Sequence, residues 1–297
     1  MAVFGTSGIK NLPRNIADGM VSEVSTGSTV ASLSGRKPQR FGNTDIILFT
    51  DRPKAEFVAE GADKTHTTGA FDVVTATPKK AQVTMRFNEE VLWADEDYQL
   101  GVLSTLSEAG ANALARALDL GLYYRINPLT GTTIAGWTNY LDATTKRVEA
   151  TADPEMDIEN AVGLLYADQK QANGIAFDPS YAWQLATLRY ADGRKKFPEL
   201  GFGANVPQFG GLPAATSNTI SGQPEAADTL NRAIVGDFRD GIFWGVQRDI
   251  PLEVIQFGDP DGQGDLKRKN QVALRLEIVY GWYVFTDRFA VVEDATP

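Results

Sequence analysis

Polar and apolar residues alternate strictly near the first third of the chain. Ala81, Val83, Met85 and Phe87 are apolar, while Gln82, Thr84, Arg86 and Asn88 are polar. A period of two predicts a strand with one buried face and one wet face. Pro78 has no donor N–H, so it belongs on a sheet edge or where the strand leaves its sheet. Upstream, residues 46–49 ("IILF") and 55–60 ("AEFVAE") are shorter strand candidates. The stretch "EGADKTHTTGAF", residues 60–71, then joins two strands able to pair as a long hairpin.

Between residues 97 and 126 the period changes. Leu100, Leu103, Ser107, Ala111, Leu114, Leu118 and Leu122 recur at steps of three and four, the stripe of an amphipathic helix. At ~1.5 Å per residue this is a rod of roughly 40 Å. Ala109, Gly110, Ala111, Ala113, Ala115 and Ala117 keep its middle thin, which predicts close packing by another element. A second helix is predicted over 154–173, with Asp153 as N-cap, Pro154 at the first position and Gly174 as the stop. A third is predicted over 179–191, capped by Asp178 and ended by Asp192-Gly193. After the Gly/Pro-rich loop "GFGANVPQFGGLP" the pattern is β: "AIVGDF", a turn at "RDG", "IFWGVQR", "LEVIQF", "QVALRLEIVYGWYVF" and "FAVVE". The chain reads as α+β.

Composition narrows the function classes. A chain of 297 residues is one large domain or two smaller ones, and 43% hydrophobic with 22% charged residues is soluble and globular. A net charge of −10 argues against a dedicated nucleic-acid binder, though not against a protein that encloses nucleic acid. With no cysteine there is no disulfide, thiolate nucleophile or Cys-based zinc site. No apolar run approaches the ~20 residues that span a bilayer, and the start lacks a signal-peptide pattern. The expectation is a cytoplasmically made protein outside any membrane. The first 43 residues have weak periodicity and carry Lys10, Arg14, Arg36, Lys37 and Arg40 against Asp18 and Glu23. Such a mildly basic segment builds no core of its own and reads as an arm that needs a surface.

The candidate chemistry is thin. His66, the only histidine, stands among Glu60, Asp63, Thr65, Thr67 and Thr68. A triad there would lack the rigid, water-excluding frame that catalysis needs, and turn chemistry alone accounts for those residue types. "DPDGQGDLKRKN", residues 259–270, imitates a calcium loop through Asp259 and Asp261 at positions 1 and 3 and Gly264 at position 6. Gln263 and Asn270 stand where positions 5 and 12 want carboxylate or amide ligands and a bidentate Glu, and the flanks read as strands. Asp259, Asp261 and Asp265 are therefore a weak metal candidate. "GFGANV" lacks the third glycine of a dinucleotide fingerprint. The carboxylates Glu89–Glu90 and Glu96–Asp97 suit the start of the long helix. No constellation specifies a reaction, and no cofactor is expected.

The order of parts, by contrast, is distinctive. It resembles the major capsid proteins of tailed bacteriophages with the Hong Kong phage-type fold. "AEFVAEGADKTHTTGAFDVVTATPKKAQVTMRFNEEVLWAD" resembles that family's extended loop. "LSEAGANALARALDLGLYY" resembles its spine helix, with "NPLTGTTIAG" as the loop after it. "IAFDPSYAWQLATLRYADGRKKF", "FGGLPAATSN" and "AIVGDFRDGIFWGVQR" are similar to axial-domain segments, and "RLEIVYGWYVFTDRFAVVE" to the last peripheral strands. The likeness runs from about residue 45 to 293.

This resemblance implies an α+β capsid fold. It places an N-terminal arm at 1–44, and a peripheral domain at 45–54, 84–150 and 265–297 with a spine helix over about 97–126. It places an extended β-hairpin loop at 55–83 and an axial domain with a central sheet and flanking helices at 151–264. It implies no enzyme but a subunit that self-assembles as hexamers and pentamers into an icosahedral shell around double-stranded phage DNA, in the virion, after assembly in the host cytoplasm. Lys64, His66, Phe71, Lys79, Lys80, Phe202 and Phe209 would then lie at intersubunit contacts. A portal and a decoration protein are further partners implied; only an arm precedes the loop, where many relatives carry a scaffolding domain, so scaffolding comes from a separate protein or assembly proceeds without one. Some relatives join a loop lysine to an asparagine of a neighbour. No acceptor Asn or catalytic Glu matches residue by residue, so that chemistry is not carried over. Encapsulin compartment shells share the fold, but "MAVFGTSGIKNLPRNIADGM" is too rich in Gly and Pro for their cargo-binding helix. A calcium-binding protein or small enzyme using Asp259, Asp261 and Asp265 or His66 is the alternative of another class.

Overall fold

The computed structural model describes residues 27–49, 55–63, 66, 71–90, 96–202 and 205–295. In chain order the elements begin with a one-turn helix α1 (Thr29–Leu33), β1 (Thr44–Phe49), the 18-residue β2 (Phe71–Asn88) and the 29-residue α2 (Glu96–Tyr124). A small pair, β3 (Ile126–Asn127) and β4 (Thr132–Thr133), follows, then β5 (Arg147–Glu149), α3 (Pro154–Ala167), β6 (Gly174–Phe177) and α4 (Pro179–Thr187). The remainder is β7 (Gln208–Phe209), β8 (Leu212–Thr216), β9 (Asn231–Gly236), the single turn α5 (Phe238–Gly241), β10 (Ile242–Ile255), β11 (Gln271–Val284) and β12 (Phe289–Glu293).

The long helix forms as its stripe predicts, and Ser107, Ala111, Leu114, Leu118 and Leu122 are all buried. What packs on its thin middle is β11. Leu276, Ile278, Tyr280, Trp282 and Val284 alternate along that strand and face the helix core. The Tyr280 hydroxyl donates to the Leu114 carbonyl at 3.2 Å. Approach is so close that a Cβ at Gly110 would collide with the Leu276 side chain. Burying this face is the main favourable term, at about 25 cal/mol per Å² of apolar surface.

Two antiparallel neighbours flank β2. Its first part pairs with β1, Thr44 opposite Ala76 and Phe49 opposite Phe71. From Thr77 to Asn88 it pairs with β11, giving the sheet order β1-β2-β11-β10. Pro78 therefore stands beside the point where β2 changes neighbour, where a missing donor costs little. A second sheet has the order β5-β12-β9-β6-β8-β7. Its centre is apolar on both faces. Ile175, Phe177, Ala233, Val235, Ala290 and Val292 face the core under α3 and α4. Ala176, Ile234, Phe289 and Val291 face the core around α2. The sheet is thus a wall shared by two cores rather than the edge of one.

Several sequence expectations are corrected here. Residues 55–60 form no strand, because their apolar residues do not alternate and no strand lies beside them; β1 is the hairpin partner instead. The helix predicted over 154–173 ends at Ala167. The Lys170 N–H donates back to the Leu165 carbonyl at 2.9 Å, Gln169 adopts φ 58°, and Gly174 opens β6. Asp153 makes no side-chain cap bond; Asp157 instead accepts from the Thr151 N–H and hydroxyl, each at 2.8 Å. Asp178 does cap, accepting from the Ser180 N–H at 2.9 Å, but its helix stops at Thr187. Asp192-Gly193 turns a small loop bridged between Arg189 and Lys195. "RDG" lies in a helical turn capped by Asp237, and "IFWGVQR" and "LEVIQF" are one strand, irregular around Pro251. Residues 289–293, grouped with the peripheral segment, pair between β5 and β9. Residues 242–255, grouped with the axial segment, pair with β11 in the long sheet.

Candidate assembly surface

The hairpin of β1 and the first part of β2 has side chains that suit a core, yet among the described residues no core lies beneath it. Cross-strand partners Ile47 and Val73 are 66% and 54% exposed, and Phe71 is 63% exposed. In the connection Phe57 is fully exposed, at 106%, and Val58 is exposed beside it. His66 is exposed as well. Lys64 lies outside the described residues. A polar pair braces the ribbon, the Thr75 hydroxyl donating to Asp45 at 2.7 Å. A two-stranded ribbon of this kind is marginal by itself in water and gains stability from a surface laid against it.

At the root of the ribbon Lys79 turns inward. Its ammonium stands 4.4 Å from the Trp282 ring and 5.5 Å from Trp137, and donates to the Thr77 carbonyl at 3.2 Å. Burial pushes its pKa down from the usual 10.5 to about 8. The attraction of the rings, worth about 0.5–2 kcal/mol, offsets only part of that desolvation. Lys80, one residue on, points the other way and pairs with Glu277 at 2.8 Å. The two lysines therefore hold the ribbon root to its own subunit.

The acidic loop after β10 is occupied by a side chain. The Arg86 guanidinium donates to Asp261 at 2.7 Å and to Asp259 at 2.9 Å, and also to the Gly264 carbonyl at 2.9 Å. The Arg86 hydrogen bond lowers the Asp261 pKa. Asp265 is turned to the Arg268 N–H at 2.9 Å. A cation entering between Asp259 and Asp261 would have to displace a fixed positive charge. Among the described residues no three His, Cys, Asp or Glu side chains converge as metal ligands would.

The two phenylalanines of the Gly/Pro loop part company. Phe202 is 79% exposed, with the Lys195 ammonium 5.0 Å from its ring. Phe209 turns inward, edge-on to Phe197 at 5.1 Å and to Phe177 at 6.3 Å. It is a packing residue of its own subunit.

Sequence reasoning missed Asp119, fully buried on α2. Its carboxylate accepts from the Thr29 N–H at 3.0 Å, the Thr29 hydroxyl at 2.8 Å, the Val30 N–H at 3.2 Å and the Thr219 hydroxyl at 2.9 Å, and also from the Ser28 hydroxyl. Burial raises its pKa against the pull of these donors. It pins the arm: Val30 is buried in the α2 core, and further on the Lys37 N–H donates to the Trp244 carbonyl at 2.9 Å. Gln247 then receives the Gly42 N–H at 3.1 Å. Residues 27–42 thus lie on this chain's own surface. A signal existed, since Asp119 is the only acidic residue in the otherwise apolar run 117–124. Its partners are about 90 and 100 residues away, which no local pattern shows.

A protein with a solid two-sided core and a long apolar ribbon left uncovered belongs to the class that completes its burial on other subunits. Residues 11–292 match the model of the phage capsid family, and this chain belongs to that family. Among solved structures it is similar to a chain from Mycobacterium phage Ogopogo, with 45% identity, a TM-score of 0.80, and 90% of this chain and 92% of that one covered. It is also similar to one from Gordonia phage Cozz, with 29% identity, a TM-score of 0.80 and coverages of 91% and 87%. The capsid of an empty GTA particle shares the fold at 16% identity and a TM-score of 0.61, over 91% and 90% of the two chains. No curated protein is significantly similar. The chain is a structural protein, a major capsid protein that associates with copies of itself in an icosahedral virion shell.

Proposed function

We propose that the subunits form hexamers and pentamers that close into a shell around double-stranded phage DNA, without reading its sequence. The ribbon of β1 and β2, with residues 55–63, acts as a strap laid on a neighbouring copy. The observation that carries this reading is the exposure of Ile47, Phe57, Phe71 and Val73 on an element that, among the described residues, has no core of its own. Ring contacts of this kind are heterologous and close by symmetry. Lys64, His66, Phe71, Lys79, Lys80, Phe202 and Phe209 are the proposed intersubunit residues, Lys79, Lys80 and Phe209 in addition to the contacts they make within their own subunit, and no catalytic turnover is proposed. Assembly in the host cytoplasm, and a scaffolding protein, a portal and a decoration protein as partners, belong to the same proposal on the strength of the family likeness.

Negative-stain microscopy of the expressed protein, alone and with its neighbouring gene products, tests the reading. Uniform shells or capsomers are expected. Small monodisperse particles under every condition would overturn it.

A further inference from the structure

A groove of about 720 Å³ runs between the arm and the β7–β8 edge of the second sheet. Leu33, Leu212 and Pro213 give it an apolar floor, and Arg36, Lys37 and Arg239 stand around it. Three cations thus line one groove of a protein whose net charge is −10. Several cations elsewhere on the surface are paired: Lys146 with Asp168 at 2.8 Å, Lys170 with Asp287 at 2.7 Å, Arg288 with Asp237 at 3.1 Å. Among the described residues Arg36, Lys37 and Arg239 form no ion pair, and a single carboxylate, Asp240, shares their groove.

The chain also carries a segment of complementary character. Residues 55–63, "AEFVAEGAD", hold three carboxylates, Glu56, Glu60 and Asp63, and no base. All nine are exposed, with Phe57 bare among them. Their exposure shows that these nine residues do not fill the groove of their own subunit. We propose that the groove is the receptor for residues 55–63 of a neighbouring copy, with the Glu60 and Asp63 carboxylates on the Arg36, Lys37 and Arg239 rim and Phe57 on the apolar floor. The inference rests on the shell reading and names where the strap lands. Opposite charges at such a contact fix its register and penalise misplaced subunits more than they add raw affinity. A DNA backbone would engage the three cations but leave the apolar floor wet, so the loop is the better fit.

A charge swap tests it on the full-length chain. Arg36→Glu with Arg239→Glu, and separately Glu60→Lys with Asp63→Lys, are expected to raise the protein concentration needed for shell formation at least tenfold. All four together should restore assembly to within about threefold of wild type. Unassembled variants should melt with the wild-type midpoint, since all four side chains are exposed. The inference is overturned if either pair assembles like wild type, or if the fourfold variant assembles no better than the pairs. Shells of the arginine variant that form normally but retain less DNA would assign the groove to phosphate instead. If wild type itself forms no shells, the shell reading fails first and takes this one with it.

Discussion

The strand β2 lives in two environments. From Thr77 to Asn88 it pairs with β11, and Val83 and Met85 pack on the core around α2. From Phe71 to Ala76 its only strand partner among the described residues is β1, and its Phe71 and Val73 are exposed. The residue types on the two halves are similar; what differs is the presence of a helix beneath. One half draws its stability from within the subunit, and the other leaves burial to be completed in an assembly. Substitutions on the first half should therefore register in the isolated subunit, and substitutions on the second half should register only when subunits meet.

The largest effect is expected at Trp282, on β11 where the ribbon root meets the core. It is buried, edge-on to Trp137 at 5.3 Å and under the Lys79 ammonium. Trp282→Ala should cost the isolated subunit about 3–5 kcal/mol in urea unfolding, the range for emptying an aromatic site. A loss under 1 kcal/mol would show that the core tolerates the cavity and that the two halves of β2 differ less than their burial implies.

Next comes the arm. Asp119→Asn keeps the shape but points an amide N–H₂ at donors that need an acceptor. The expected cost is about 2 kcal/mol, in the range for losing hydrogen bonds to a charged group and leaving donors unpaired. Hydrogen exchange at the Thr29 and Val30 amides should speed up with it. Unchanged protection there would mean that the apolar contacts of Val30 hold the arm without the carboxylate.

The third effect is a pH dependence at the ribbon root. Burial holds Lys79 at about 8 in the folded subunit, against the usual 10.5. Between those values the unfolded chain keeps a proton that the folded one has shed, so unfolding free energy rises with pH across that window. Lys79→Met removes this titration. The stability of wild type relative to the Met variant should therefore increase from pH 8 to pH 10.5 in thermal melts of the two proteins. A constant difference would place Lys79 in solvent rather than between the indoles.

Local pattern made much of this legible. The stripe on α2, the alternation of β2 and of β11, and the role of Pro78 follow from sequence spacing, because each depends on neighbours along the chain. The thin middle of α2 announced a close partner, and β11 at Gly110 is that partner. What spacing could not carry was choice of partner. Residues 55–60 read as a strand, yet the pairing went to Thr44–Phe49, which register and the position of β11 decided. Asp259 and Asp261 read as half a calcium loop, because Arg86, which neutralises them, lies more than 170 positions away in the sequence. Asp119 went unread for the same reason. The contacts of Phe209 with Phe197 and Phe177 inside its own subunit were not legible either, because loop composition does not show which ring turns inward.

The smallest effect on the isolated subunit, and the sharpest test of the contrast, belongs to the outer half of β2. Val73→Ser with Phe71→Ser removes apolar surface that is already more than half exposed, so the folded subunit loses little when water takes its place. The midpoint of urea unfolding should shift by no more than about 0.5 kcal/mol equivalent, as for other surface positions. Shell formation should behave differently. Every subunit contributes the same ribbon, so a weakness at one contact is repeated at each, and the concentration needed for assembly should rise well above that of wild type. If the isolated subunit is instead destabilised as much as by Trp282→Ala, the ribbon has a core of its own, and its exposed face is no longer a reason to look for a neighbour.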